Sequence, residues 1–573
     1  MQADVATLDR SKTSNDSIMS ELIPMPNSGS ESGIPTGLFN SSGLGEAMGL
    51  YLPATVAVRL INFVRVLLLT WWILPQQFGL LNMILLAINV LTPLCSLGLN
   101  EAITRYVPQQ ETRGSLRIFA WHSFVLLVFV TGVSVGLMCC FSRFLGDLFY
   151  SQIYVDPVLR ERFGRDAASL AKVTAGVTGF VILYFYLLAM FKGLRMFKAV
   201  AIIELAHAIL FLIACGMAVS AQHRAASTIT IMYGLSLAIP VGFFGWLFCR
   251  SLSRWQCQAG KTQETWASKL FRFSVWTTLA GIMWQVLVYY PSWYLTKTHG
   301  HFAVAIFSAP RQIGQLILIG AVAVVTVVMT TVTKTWETSG REAAHRQLSL
   351  AFRGTCFGLL VICGILALGR NWIMKMFRPD YMAGADVLPL HLLFFLIGSY
   401  LSFLPIHFHL IENTRHLLWP WAVGVTANVL FAFWLAGPGF ETVRQFAVWH
   451  WASSAFSGWF VTGFSSNLGL DGAAWCGIFA IATALLLCIV LINSACARLD
   501  RGTYIIILAA GLLAMNNWVL SIGLAVLILA ALRTQLVFSH AERRAVVGYI
   551  ARSLIHVPAF GRFCERMKTN ESR

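Results

Sequence analysis

About fourteen hydrophobic stretches follow one another along this chain, each near the ~20 residues a helix needs to cross a bilayer, and two of them hold an arginine well inside. Such a pattern constrains the chain to an all-α polytopic membrane fold, because a helix satisfies its own backbone groups where no water can. Of the 573 residues, 57% are hydrophobic and 12% charged, well above the apolar share of about 45–50% in soluble domains. The net charge of +17 lies in short loops and in the C-terminal tail. Membrane topology accounts for it there, and nucleic-acid binding is not expected. Twelve cysteines are scattered, mostly within apolar runs, without a CxxC pair or zinc spacing, and read as small apolar residues.

The expected spans of the first half lie near 50–74, 79–104, 118–142, 167–190, 199–220 and 228–250. Those of the second lie near 270–295, 302–332, 347–369, 385–410, 416–436 and 471–494, followed by two short ones at 503–516 and 517–534 that can form a hairpin. This divides the chain into a disordered tail at 1–45, a bundle at 46–255, a second bundle at 256–500, a helix pair at 501–535 and a basic amphipathic tail at 536–573. The aromatic stretch 438–470 is broken by Ser and Gly and is expected to lie at the interface; if it spans, the downstream topology reverses. Residues 1–45 are polar, with five acidic against two basic residues, and lack a cleavable signal. In the C-terminal tail Val546, Tyr549, Ile550 and Leu554 recur at helical spacing, which suits an anionic membrane surface.

Positive charge concentrates in alternate loops, at Arg105, Arg113 and Arg117, at Lys192, Arg195 and Lys198, and at Arg250, Arg254, Lys261 and Lys269. The same loop set continues through Lys334, Arg341 and Arg346 to Arg498 and Arg501. The positive-inside rule then puts both termini in the cytoplasm. Around Arg195 the sequence parallels that around Arg415, which suggests two six-helix bundles in pseudo-twofold relation, an arrangement suited to alternating access.

Buried charge directs attention to function. Arginine at membrane depth costs about 2.5–3.5 kcal/mol even on the lenient insertion scale, so Arg65 and Arg311 are expected to face a cavity or an anion. Arg311 follows Pro310 and stands with Gln312 and Gln315, a polar series too dense for a lipid-facing surface. Arg59, six residues before Arg65, sits ~120° away around the helix and is not expected to face the same way; it can snorkel to the interface or support the site. Gln285 either contacts a ligand or hydrogen-bonds another helix. At the cytoplasmic mouth Arg105, Lys192 and Arg195 either mark topology or receive a phosphate. Glu101, Glu204 and His207 are candidates for ion coupling, with a structural pairing to a nearby arginine as the alternative. His407 and His409, two apart on a helix, point to different faces and do not suggest a shared metal. No Walker A sequence and no catalytic constellation occurs, so no cofactor, ATP drive or enzymatic activity is expected.

The segment RLINFVRVLLLTWWILPQQFGLLNMILLAINVLTPLCSLGLNEAITRYVPQ at 59–109 resembles the opening spans of polysaccharide flippases in the multidrug/oligosaccharidyl-lipid/polysaccharide exporter superfamily. The resemblance includes a short outer turn ending in Phe78 and Gly79, then Gly98, Leu99, Ala102, Arg105 and Tyr106. FKGLRMFK at 191–198, MFRPDYMAGADVLP at 376–389 and GLDGAAW at 469–475 follow in the family's order, while the 438–470 insertion and the polar N-terminal tail depart from it. The resemblance implies a plasma-membrane (inner-membrane) flippase for a polyprenyl-pyrophosphate-linked oligosaccharide in surface polysaccharide assembly, with polysaccharide assembly enzymes and membrane lipids as partners. The alternatives are a cation-coupled multidrug exporter, which wants cavity carboxylates, a membrane polymerase or glycosyltransferase, which wants a large outer loop, and a structural scaffold without transport.

Overall fold

Pro75 sets the first sharp turn of the chain, since it cannot continue a helix from the preceding residues and is at home at the first position of a new one. Leu74 is extended before it, so α1 (Leu44–Trp72) stops and α2 (Pro75–Ser96) starts. The turn therefore lies at Ile73 and Leu74. Phe78 and Gly79, expected in the turn, are buried inside α2 instead. Leu97 and Gly98 both adopt left-handed backbone and separate α2 from the amphipathic α3 (Leu99–Thr112).

The structure, a computed structural model, describes residues 44–112, 115–154, 167–194, 196–252, 266–411, 416, 418–435, 468–495, 499–539 and 542. The N-terminal tail, the 438–470 insertion and nearly all of the C-terminal tail lie outside the described residues. The first half continues through α4 (Leu116–Cys140), the short α5 (Ser142–Tyr150), α6 (Ala167–Gly193), α7 (Phe197–Ser220) and α8 (Ala226–Leu252). The second opens with α9 (Trp266–Ser339), which breaks into two limbs at Gly300, where φ is 77° and only glycine is unstrained. It goes on through α10 (Arg341–Leu368), α11 (Arg370–Met374), α12 (Leu388–Phe403), α13 (Ile406–Leu410), α14 (Leu418–Leu435) and α15 (Leu468–Ala495). A pair, α16 (Arg501–Ala509) and α17 (Asn517–Arg533), follows.

This is an all-α, multi-pass membrane protein. Among the described residues ten helical stretches are long and apolar enough to cross a bilayer, one of them the kinked α9, and three shorter apolar helices accompany them, where about fourteen spans were expected. The stretch 388–408 is 89% buried, whereas α4 is only 22% buried and turns side chains such as Phe129 outward. One helix is central and the other faces lipid, where apolar exposure costs nothing.

Helix neighbours in the first half recur in the second. α1 packs on α7, α2 on α6, α4 on α6, α6 on α8 and α7 on α8. Correspondingly, the first limb of α9 meets α14, where Asn428 Nδ2 donates to Leu287 O at 2.8 Å and Trp284 meets Trp421 at 5.1 Å. The second limb meets α12 through Phe307 and His391, α10 packs on α12, and α12 and α14 both pack on α15.

The halves meet chiefly between α2 and α9. Gly79 makes this approach possible, because a Cβ there would stand 1.9 Å from the carbonyl oxygen of His301. At the same end of the molecule, the end with the α1–α2 turn, Trp71 Nε1 donates to Met376 O at 2.9 Å and Phe78 packs edge-on against Tyr381. There too Trp293 Nε1 donates to Leu148 O at 3.0 Å, and Lys297 Nζ donates to Asp147 O at 2.8 Å and Ser151 Oγ at 2.6 Å. That end is closed.

Candidate functional site

Apolar spans would be expected to meet along an apolar seam, yet between the two halves lies a polar cavity of about 250 Å³. Its wall takes Arg59 and Arg65 from α1, Asn82 and Asn89 from α2, Phe211 and Tyr233 from α7 and α8, and Tyr289, Ser292, Ser308, Arg311, Gln312 and Gln315 from α9. Among the described residues no Asp or Glu lines it.

Arg65 lies with its guanidinium carbon 4.2 Å from the centre of the Phe211 ring, and Nη1 donates to Asn62 Oδ1 at 2.8 Å. Arg311 lies 4.2 Å from the centre of the Tyr289 ring, and Nη1 donates to Ser292 Oγ at 3.0 Å. Tyr289 in turn accepts from Asn89 Nδ2 at 2.9 Å, tying α2 to the first limb of α9. A ring face attracts a guanidinium without neutralising it. Nε of Arg65 and Nη2 of Arg311 are buried with no acceptor among the described residues, and neither side chain has a carboxylate partner there. Buried cationic donors left over in this way are complementary to an anion with several oxygens, and the fork of a guanidinium matches a phosphate.

Five of the six cavity residues expected from the sequence, Arg59, Arg65, Arg311, Gln312 and Gln315, line this one cavity. Arg59 and Arg65 were expected to face apart. Both reach the cavity wall, Arg59 with an exposed side chain and Arg65 deeper, because long side chains can span the angle between their Cα positions. Gln285 is not part of the wall; it is half-buried one turn before Tyr289 on the same helix. Asn82, Asn89, Tyr233, Tyr289, Ser292 and Ser308 were not anticipated, although the seven-residue spacing of Asn82 and Asn89 puts them on one face of α2.

Lys192, Glu204 and His207 are not part of the cavity wall. Lys192 pairs with Glu204 at 3.6 Å, so the structural pairing anticipated for Glu204 is made, with a lysine in place of an arginine. His207 is packed among Tyr184, Phe211 and Tyr233, with Nδ1 3.3 Å from Ser236 O. The side chains of Glu101 and Arg105, and all of Arg195, lie outside the described residues. His407 stacks on His345 at 5.1 Å, and among the described residues no group of His, Cys, Asp and Glu is arranged to hold a metal ion.

Residues 44–336, just over half of the chain, match the family model described as polysaccharide biosynthesis protein. The chain belongs to that family. A comparison with curated protein sequences finds no match. Solved structures of MOP-superfamily transporters share the fold. An inward-facing multidrug resistance transporter of the MATE family aligns with a TM-score of 0.57 at 13% identity, covering 79% of this chain and 95% of that one. A MOP-superfamily transporter from Pyrococcus furiosus, described as having a binding pocket of reverse polarity, gives 0.57 at 12% identity, over 81% and 99%. The lipid II flippase MurJ, in an inward closed conformation, gives 0.56 at 14% identity, over 88% and 100%. The family member described here is thus a membrane protein with a MOP-type transporter fold.

Proposed function

We propose that this family member is a flippase that moves a polyprenyl-pyrophosphate-linked oligosaccharide across the plasma membrane by alternating access, for surface polysaccharide assembly. The observation that carries the reading is the pair of guanidinium groups, one from each half of the chain, that face one cavity without a carboxylate. A pyrophosphate offers the oxygens these donors lack, and the carboxamides and hydroxyls around them suit a sugar. The prenyl chain stays in lipid, so only the polar head needs the protein. No bond in the substrate is made or broken, and the protein acts as a transporter and not as an enzyme.

Loop charge favours cytoplasmic termini, which makes the closed end the outer one. The cavity is then loaded from the cytoplasmic side. A cation-coupled drug exporter is less well supported, since its cargo would meet arginines where it needs an acid. The test is lectin accessibility of the sugar after reconstitution into vesicles containing polyprenyl-pyrophosphate oligosaccharide. Arg311→Lys keeps charge without the two-pronged contact and slows flipping; Arg311→Ala slows it further, with normal membrane insertion. Full flipping by a well-inserted Arg311→Ala protein removes the cavity anion from the mechanism.

A further inference from the structure

A second and larger cavity, about 800 Å³, lies on the flank of the first bundle and shares no lining residue with the central one. It arises because α4 and α8 both pack on α6 rather than on each other, leaving a slot between them. Leu183 and Leu187 of α6 form its floor. The floor's one hydroxyl is already spent, since Tyr186 Oη donates to Ala120 O at 2.9 Å. The α8 wall is held open by Gly242 and Gly245, where an added Cβ would meet no atom within 4 Å. Trp121 and Trp246, 64% and 58% exposed, stand at the rim as tryptophans do at a membrane interface.

The slot's charge is one-sided. Arg117 lines it where α4 begins, is exposed, and makes no ion pair among the described residues. Among the described residues no acidic residue lines the slot. Its volume lies within the range of about 300–1,000 Å³ typical of ligand sites. Lipid tails gain little by leaving lipid for a wall of leucines, so the slot's selectivity must come from the head group. Basic pockets between membrane helices recognise anionic lipid heads.

We propose that this slot is a binding site for one anionic glycerophospholipid, with an acyl chain along the α6 floor and the phosphate at Arg117. The site is independent of the cargo cavity and does not depend on what the cavity carries.

Native mass spectrometry of the full chain in detergent, titrated with phosphatidylglycerol or phosphatidylcholine, tests it. The first phosphatidylglycerol adduct should form at least about tenfold more tightly than the first phosphatidylcholine adduct. Arg117→Gln, at an exposed position, should bring phosphatidylglycerol to the phosphatidylcholine level, and Gly245→Leu should weaken the first adduct of both lipids by filling the slot. Equal binding of the two lipids by the unaltered protein overturns the proposal, as does undiminished phosphatidylglycerol binding by Arg117→Gln. Should Gly245→Leu fail to fold, the head-group preference and the Arg117→Gln titration decide the matter alone.

Discussion

Arg65 and Arg311 stand in the same relation to the protein from opposite halves of the chain: each guanidinium lies 4.2 Å from the centre of an aromatic ring, each has one donor tied to a neutral oxygen, and both face one cavity. The rings hold the cations at depth while leaving their charge available, which a carboxylate partner would not do. In an alternating-access cycle that distribution has a consequence. An anion gripped from both halves couples their movement, and release requires one grip to fail.

Two arginines serving one anion should not act additively. Arg65→Ala and Arg311→Ala are each expected to slow flipping by roughly 10- to 100-fold, from the loss of about 1.5–3 kcal/mol per charged hydrogen bond. The double variant should be slowed by less than the product of the two, because one site is being removed twice. Rates from the lectin-accessibility assay give the coupling. A strictly multiplicative double variant means that the arginines serve different steps or different ligands.

Much of this site was legible because charge inside an apolar span has few explanations. Arg65 and Arg311 stand out for that reason, the neutral Gln312 and Gln315 by their place beside Arg311, and all four line the cavity. Asparagine, serine and tyrosine carry a weaker signal, since they also serve in helix-to-helix hydrogen bonds. Asn428 is such a case, donating to Leu287 O, and Asn89 does both, donating to Tyr289 while lining the cavity beside Asn82. Sequence gives the residue type and the face of its own helix, but not which neighbour that face meets. Gln285, for which a contact with another helix was the alternative, is not part of the cavity wall. The α1–α2 boundary slipped for another reason: Gln76 and Gln77 interrupt the hydropathy, yet both are helical, and the turn is set by Pro75.

Gly79 makes a sharp test of how the halves meet. A methyl group there would collide with the His301 carbonyl, a backbone atom that cannot swing aside. Gly79→Ala should cost about 1–3 kcal/mol by overpacking, lowering the Tm in detergent. At Gly132, on α4, an added Cβ meets nothing within 4 Å, so Gly132→Ala should be neutral or stabilising by up to about 1 kcal/mol. Equal Tm values for the two variants would mean that α2 and α9 do not approach so closely.

The helix pair after the second bundle is clasped from α10. Arg353 Nη1 donates to Val537 O at 2.8 Å and Nη2 to Glu542 Oε1 at 2.5 Å, with Asp500 at 3.7 Å. Burial alone would raise the pKa of Glu542, but the bonds from the Ser539 amide and from Arg353 outweigh it and hold the carboxyl below its ordinary value. A lowered folded-state pKa means the clasp contributes fully above the unfolded value of about 4.3 and is lost as pH falls through the lower, folded one. Proteolysis at the segment around Val537 should therefore accelerate on acidification below about pH 4.3. Glu542→Gln should be cut faster at neutral pH and lose that dependence. A Glu542→Gln protein as resistant as the parent at neutral pH would remove the clasp from this account.

The closed end must open if cargo is to leave by it. Trp71 and Met376 meet there across the two halves, joined by the Trp71 indole and the Met376 carbonyl at 2.9 Å, with Trp293 and Lys297 bridging nearby. Those bonds are few and individually weak, about 0.5–1.5 kcal/mol each, so they can be exchanged during a cycle, whereas a covalent link cannot. After replacing Cys139, Cys140 and Cys249, together with Cys257, Cys496 and Cys564 outside the described residues, by serine, Trp71→Cys with Met376→Cys, joined by a short reducible cross-linker, should reduce flipping to background. Reduction should restore it. The single-cysteine proteins treated with the same reagent should keep flipping, which separates locking from mere modification. Wild-type flipping by the fully cross-linked protein would mean that this end stays shut throughout and that cargo crosses by another route.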